Sequence, residues 1–150
     1  MMPFNANQTI LIVDDSDDDY DATARALRRD KRFKNPLRRC ENGRDALDYL
    51  YLRGQYAPPA EAPRPGIVLL DLNMPGIDGR EVLSTVKNDD ALRPIPIIIM
   101  TNSNDERDVT TCYDIGANTY IQKPLDWSEF SEATRRLREY WFDIAVLPKA

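Results

Sequence analysis

Charged and polar side chains follow four apolar segments of the sequence, at the point where each segment ends. In chain order these residues are Asp14 and Asp15, Asp71, Thr101 and Lys123. The segments before most of them are short and rich in Ile, Val and Leu, which is typical of strands buried on both faces of a parallel sheet. Because the C-terminal ends of parallel strands meet at one edge of a sheet, we expect these side chains to lie together.

Such a group of side chains suits one kind of chemistry. Three neighbouring carboxylates repel one another, and a divalent cation relieves that cost. Hard oxygen ligands suit Mg²⁺ or Mn²⁺. A carboxylate oxygen of Asp71 can attack phosphorus if the metal and the Lys123 ammonium neutralise the phosphoryl charge, while the Thr101 hydroxyl bonds the transferred group. The residues therefore predict metal-dependent phosphoryl transfer onto a carboxylate.

Five apolar strand segments alternate with five helical patterns. The predicted strands cover residues 10–13, 37–40, 67–70, 95–100 and 119–122. Alternation of this kind predicts right-handed crossovers and an α/β fold with a five-stranded parallel sheet. Ser16 is expected to cap the first helix, Ser103 or Asn104 the fourth and Asp126 the last. The proline-rich residues 53–66 are expected to form a surface loop.

Length and composition favour one domain without an output domain. The 150 residues are expected to form a core over about 8–141 and a C-terminal tail over 142–150. The net charge of −5 does not favour nucleic acid or anionic membranes as partners. No apolar segment approaches the length of a membrane span, and the N-terminus lacks a signal-peptide pattern, so we expect a cytoplasmic protein. The sequence contains no histidine, which excludes histidine-based catalysis.

Four motifs, in order, resemble the signature segments of response regulator receiver domains. They are ILIVDDS (10–16), LLDLNMPGIDG (69–79), PIIIMTNS (96–103) and YIQKP (120–124). Each motif alone is weak, but the four together cover the chain in the order of that family. The resemblance implies a flavodoxin-like, doubly wound (βα)5 fold with strand order 2-1-3-4-5.

The resemblance also implies roles for the acidic residues. Asp71 would be the phosphoacceptor and a metal ligand. Asp15 would bind Mg²⁺ directly, Asp14 would act through water, and the backbone oxygen of Asn73 would complete the protein ligands. The alternative for Asp14 and Asp15 is that they merely cap the first helix.

The same resemblance assigns the residues that would sense the phosphoryl group. Thr101 would be the switch hydroxyl and Lys123 the phosphate-sensing lysine. Tyr120 would be the switch aromatic that turns inward, although a static, half-buried tyrosine is the alternative. The family further implies a cis peptide bond at Lys123–Pro124.

The proline-rich loop and the tail EYWFDIAVLP (139–148) are similar to those of small stand-alone response regulators that partner phytochrome-type histidine kinases. The tail is crowded with apolar side chains, so we expect a two-fold homodimer built on Trp141, Phe142, Val146 and Leu147. In the alternative, the tail folds back over its own domain.

These observations predict a single-domain response regulator rather than a turnover enzyme. It would accept a phosphoryl group from a histidine kinase, which the resemblance implies is of the phytochrome type, and signal by a conformational switch or by relay to a histidine phosphotransfer protein. One alternative is a metal-dependent aspartyl phosphatase, but such enzymes carry a second Asp where this chain has Asn73. Another is a scaffold-only receiver. Such a protein is expected to lack one of Asp15, Asp71, Thr101 and Lys123, and this chain has all four. A flavodoxin-like cofactor binder is the third.

Overall fold

The central feature of the computed structural model, which describes residues 7–148, is a parallel β-sheet. Within these residues the sheet has five strands in the order β2-β1-β3-β4-β5, so the predicted strands and their order are confirmed. The strands are β1 (Thr9–Val13), β2 (Leu37–Cys40), β3 (Pro65–Leu70), β4 (Ile97–Thr101) and β5 (Thr119–Gln122).

Helices follow each strand and cover both faces of the sheet. They are α1 (Asp17–Arg28), α2 (Gly43–Tyr51), α3 (Gly79–Lys87), α4 (Glu106–Ile115) and α5 (Trp127–Arg138). A short 3₁₀ turn (Gly54–Tyr56) follows α2, and a π-helical turn (Glu139–Ile144) continues α5. No helix within residues 7–148 has both the length and the apolar character needed to cross a membrane.

Alternate residues of each central strand belong to two separate hydrophobic clusters. Leu11, Val68 and Ile97 pack on the side of α2 and α3, whereas Ile10, Ile67 and Ile98 pack with Leu27 of α1 and Leu137 of α5. Because successive side chains of a strand point to opposite faces, a strand buried on both faces must be apolar throughout. The sheet is thereby fixed between two helical layers, and its C-terminal edge presents the polar residues.

Short polar side chains fix where the helices begin. Ser16 and Asp126 cap α1 and α5 as predicted, since each side chain accepts a backbone hydrogen bond from the first turn. The predicted cap of α4 at Ser103 or Asn104 is wrong, because Asp105 accepts from the Arg107 N–H. The Ser103 hydroxyl instead donates to Asp108, at 2.6 Å.

The tail packs partly onto its own domain. Phe142 and Leu147 are only 4% and 3% exposed and belong to the cluster between the sheet, α1 and α5. The Phe142 ring meets the edge of Phe33 with a centroid distance of 5.6 Å. The core therefore extends past residue 141, and the predicted dimer contacts of Phe142 and Leu147 are wrong. Hydrophobicity along a sequence predicts burial but not which surface buries the side chain.

Other tail positions have different environments. Trp141 is half-buried, whereas Val146 is 69% exposed. The last two tail residues, 149 and 150, lie outside the described part of the chain.

The peptide bond that precedes Pro124 is trans. Within residues 7–148 the cis bond joins Pro58 to Pro59, so the predicted cis bond at Lys123–Pro124 is wrong. The trans form of an X–Pro bond is favoured by only about 0.5–1 kcal/mol, so a dipeptide in the sequence does not decide between the two forms.

Candidate functional site

Three carboxylates meet at the C-terminal edge of the sheet. Oxygen atoms of Asp14, Asp15 and Asp71 all lie within 4.8 Å of one another. The Asp14 N–H donates to Cys40 and the Asp71 N–H to Val13, so hydrogen bonds between strands fix the backbone of both aspartates. Asp14 and Asp71 are buried, while Asp15 is exposed. The predicted convergence of these residues is confirmed.

The turn between β1 and α1 sets the position of Asp14. Its Oδ1 accepts the Ser16 N–H at 3.0 Å, while the Ser16 hydroxyl caps α1. Ser16 therefore caps the helix, and neither Asp14 nor Asp15 does. The alternative in which these two aspartates are only helix caps is wrong.

An arginine on β2 supports this turn from its other side. Arg39 donates to the backbone oxygen of Asp14 at 3.1 Å and pairs with Asp17 at 2.7 Å. Its guanidinium also lies over the Tyr20 ring, 5.0 Å from the centroid. The sequence did not indicate this contact, because it depends on the register between β1 and β2.

Asp71 lies at the centre of the site, at the end of β3. The pKa of its carboxyl is raised on balance. Burial has the largest effect and raises it, the Lys123 charge lowers it, and the neighbouring Asp14 charge raises it. Hydrogen bonds from the Thr101 hydroxyl and the Asn73 N–H also favour the ionised form. Asn73 is exposed, and its carbonyl remains only a predicted metal ligand. Asp71 is thus a desolvated carboxylate held between positive and negative neighbours.

A glycine at the start of α3 allows the helix to approach Asp71. A Cβ atom at Gly79 would lie 2.2 Å from the backbone oxygen of Asp71 and 2.7 Å from the Cα of Leu72. The Gly79 N–H donates to the Leu72 carbonyl at 2.9 Å, and Asp78 caps the helix. Nothing in the sequence indicated this contact with the Asp71 backbone.

Lys123 enters the acidic cluster from the end of β5. Its Nζ lies 2.8 Å from Asp14, 2.9 Å from Asp19 and 3.8 Å from Asp71, and its side chain is only 3% exposed. Burial lowers the pKa of the Lys123 ammonium, but the hydrogen bonds and charges of Asp14 and Asp19 outweigh burial and raise it. The predicted placement of Lys123 is confirmed, whereas Asp19 was not predicted.

Thr101 and Tyr120 are linked through the loop that follows β4. Thr101 is fully buried, and its hydroxyl accepts the Ser103 N–H at 3.4 Å. The Tyr120 hydroxyl donates to the Ser103 carbonyl at 3.1 Å, and its ring packs against the core. The same short loop therefore contacts both residues, although a switching motion of Tyr120 remains a prediction.

A second polar group, which sequence reasoning missed, ties α4 to α3. Arg80 and the Ser103 hydroxyl each donate to Asp108 at 2.6 Å. These residues are far apart in the sequence, and nothing in their spacing indicated that they meet. The loop after Thr101 is thus connected to two helices.

The donor set of the acidic edge fits a divalent cation. Carboxylate oxygens are the hard ligands that Mg²⁺ and Mn²⁺ prefer, and three of them are within 4.8 Å of one another. The side chains at this edge can therefore hold a metal ion.

Known proteins resemble this chain in sequence and in fold. The response regulator receiver domain family matches residues 10–146. Response regulator Rcp1 of Synechocystis sp. is 32% identical over 146 residues, which is 97% of each chain. The crystal structure of the phosphorylated cyanobacterial phytochrome response regulator RcpA matches with a TM-score of 0.90 and 34% identity, over 96% of this chain and 100% of RcpA. The Mn²⁺-bound form of Rcp1 matches with a TM-score of 0.89 and 31% identity, over 95% and 99%. The chain belongs to the response regulator receiver domain family.

Proposed function

We propose that Asp71 accepts a phosphoryl group from a histidine kinase and that the protein signals through the change that follows. One observation carries this proposal: the Asp71 carboxylate is buried beside two other carboxylates, the Lys123 ammonium and the Thr101 hydroxyl. Receiver proteins are signalling proteins rather than turnover enzymes. Any self-phosphorylation or slow hydrolysis would be a property of the same site.

The transfer step uses few groups of the protein. An Asp71 oxygen forms a bond to phosphorus, while the bond between phosphorus and the donor's histidine nitrogen breaks and that nitrogen leaves with the electron pair. During this transfer the Lys123 ammonium neutralises the charge of one phosphoryl oxygen, and the Thr101 hydroxyl donates a hydrogen bond to another. Asp15 and Asp71, together with Asp14 and the backbone oxygen of Asn73, would hold Mg²⁺ or Mn²⁺, which would supply further charge neutralisation. Positioning and electrostatics account for most of the catalysis in such a step.

The groove between α1 and α5 is our candidate docking surface for the kinase. Ala22, Arg25 and Phe130 line it, together with Trp127, which is 59% exposed. Leu125 precedes α5 and is 96% exposed. Exposed apolar side chains beside charged ones are typical of docking surfaces, and Leu125 and Trp127 lie two and four residues after Lys123 in the sequence.

The likeness to RcpA supports a kinase of the phytochrome type as the partner. Onward relay to a histidine phosphotransfer protein would use the same Asp71. Because such kinases consume ATP, we place the protein in the cytoplasm.

The proposal is tested with acetyl phosphate as a small phosphodonor. Intact-mass analysis should show one added phosphoryl group on wild type in Mg²⁺, none on Asp71→Asn and none in EDTA. Equal phosphorylation of Asp71→Asn would contradict the assignment.

The competing functions give different results in the same assay. A scaffold-only receiver would remain unmodified in Mg²⁺. An aspartyl phosphatase would release many equivalents of phosphate from p-nitrophenyl phosphate, whereas a receiver should not turn over rapidly, because Asn73 stands where those enzymes carry their acid-base aspartate.

A further inference from the structure

The Lys123 ammonium is bound mainly by carboxylates other than Asp71. Two of its N–H groups are used by Asp14 at 2.8 Å and Asp19 at 2.9 Å. The nearest Asp71 oxygen, at 3.8 Å, is beyond hydrogen-bond distance. Because an ammonium has three donors, one N–H remains for a further acceptor.

The first turn of α1 fixes Asp19 in place. Its N–H donates to the Ser16 hydroxyl at 3.2 Å, and the Ser16 N–H donates to the other anchor, Asp14, at 3.0 Å. Ser16 therefore holds both anchors of Lys123 within one turn. The N-terminal end of the α1 dipole also favours the negative charge of Asp19.

The two anchors have different neighbours. Asp14 belongs to the carboxylate cluster that can hold a cation, so its charge is shared between that cluster and Lys123. The Asp19 carboxylate, which is 25% exposed, is not part of this cluster, and its side-chain bond goes to Lys123. The charge of Asp19 thus acts on the lysine even when Asp14 is engaged elsewhere.

We propose that Asp19 is a positioning residue for phosphoryl transfer: with Asp14 it holds the Lys123 ammonium where it can bind the incoming phosphoryl oxygen without first pairing with the Asp71 nucleophile. A direct hydrogen bond from Lys123 would occupy an Asp71 oxygen and weaken it as a nucleophile. Held 3.8 Å away, the ammonium does not occupy that oxygen. This inference rests on the proposed role of Asp71.

The test compares Asp19→Asn with a control that removes the same charge nearby. Asp18 lies in the same helical turn and is exposed, so Asp18→Asn is the matched control. At saturating Mg²⁺, phosphorylation of Asp19→Asn by acetyl phosphate should be about tenfold slower than that of wild type, because an oriented, charge-assisted contact is lost. Asp18→Asn should remain within about twofold, as expected for an exposed charge.

A double-mutant cycle separates positioning from general damage. If Asp19 acts through the lysine, Asp19→Asn should cause no further slowing in a Lys123→Met background. Circular dichroism establishes that each variant is folded. Equal rates for wild type and Asp19→Asn, or the same loss with and without Lys123, would overturn the proposal.

A crystal structure of Asp19→Asn gives a readout that does not depend on activity. The Lys123 Nζ should move to about 2.8–3.0 Å from Asp71, a normal hydrogen-bond distance. An ammonium that stays at its wild-type position would overturn the inference. If wild type took no phosphoryl group on Asp71, the proposed function would fail, and the crystal structure would still decide whether Asp19 positions Lys123.

Discussion

At the scale of single residues, the site is a balance between clustered negative charge and Lys123. The ammonium lies within 3.8 Å of Asp14, Asp19 and Asp71, and Asp15 belongs to the same carboxylate cluster. The formal negative charge therefore exceeds the charge of the lysine. A divalent cation would offset that excess, and the negative charge of an incoming phosphoryl group would increase the need for it.

The buried thiol of Cys40, at the end of β2, gives a prediction about alkaline pH. Burial raises the pKa of Cys40 from 9.0 to about 12. Below pH 9 the thiol is protonated in both states, whereas between pH 9 and 12 only the unfolded chain releases the proton. The free energy of unfolding should therefore fall as pH rises through this range, with a contribution from Cys40 of up to about 1.4 kcal/mol per pH unit.

Urea unfolding of wild type and Cys40→Ala between pH 8 and about pH 10.5 measures this contribution. The variant should be less stable at pH 8, because it leaves a cavity, but its stability should decline less steeply above pH 9. Parallel curves would contradict the prediction. Because Cys40 contacts the Tyr56 hydroxyl and raises the pKa of that tyrosine, the difference between the two curves reports Cys40 together with its effect on Tyr56.

Residues of the site that follow strands were predictable, and those that depend on side-chain geometry were not. Asp71, Thr101 and Lys123 were found because the topology of a parallel sheet brings its strand ends together. Asp19 was not found, because its contact with Lys123 depends on rotamers and on the exact start of α1. Several aspartates in the first helical turn also have an ordinary explanation, since they favour the helix dipole.

At the scale of elements, the position of Asp71 depends on how closely α3 approaches β3. The helix starts directly against the backbone of Asp71 and Leu72, and its first residue must be small. The strand and the helix therefore share one tightly packed junction at the proposed phosphorylation site. A change in this junction should affect both stability and the chemistry.

Gly79→Ala tests this junction. The added methyl group would lie 2.2 Å from the Asp71 carbonyl oxygen, so backbone must move. We expect a loss of about 1–3 kcal/mol in the free energy of unfolding, as for other overpacked sites. Phosphorylation of the folded fraction should slow by about tenfold or more, because small displacements of reacting groups have large effects.

Gly76→Ala is the matched control for Gly79→Ala. Gly76 has a φ of +75°, but a Cβ there would have no neighbour within 4 Å. Its replacement should cost about 1 kcal/mol through backbone strain and leave Asp71 in place. Urea unfolding and acetyl phosphate assays on both variants give the comparison. Equal phosphorylation rates for the two variants would show that the contact of α3 with Asp71 is unimportant.

The elements themselves were largely predictable, but their exact ends were not. The strands were found from apolar segments, and Ser16 and Asp126 from their capping pattern. The start of α4 was placed too early, because Ser103, Asn104 and Asp105 are all good caps, and the Ser103 hydroxyl bonds Asp108 instead of capping the helix. Competition of this kind between neighbouring polar residues is decided by tertiary contacts.

At the scale of the whole molecule, the C-terminal tail is divided between core and surface. Phe142 and Leu147 complete the hydrophobic layer under α1 and α5, whereas Tyr140, Ile144 and Val146 are 53%, 70% and 69% exposed. Because α5 runs antiparallel to the strands, this exposed apolar surface lies at the end of the molecule away from the acidic edge. The sequence predicted an apolar tail, but it could not separate side chains that complete the core from those that face outward.

The exposed part of the tail leads to our prediction of a two-fold dimer. Tyr140, Ile144 and Val146 would form its centre, with Trp141 at the border and parts of α5 completing the roughly 800 Å² per partner that a stable interface needs.

The double variant Ile144→Asp/Val146→Asp tests this interface. It should be monomeric, because a charge buried at the centre of an interface is costly. It should keep its fold, because both side chains are largely exposed in the single chain. Leu125→Asp, which places a charge on an apolar residue at the opposite edge of the sheet, should remain dimeric. Light scattering at tens of micromolar, before and after acetyl phosphate, measures the mass of each protein. A wild-type monomer in both states would exclude the dimer, and a dimer that survives the double substitution would show that the interface lies elsewhere.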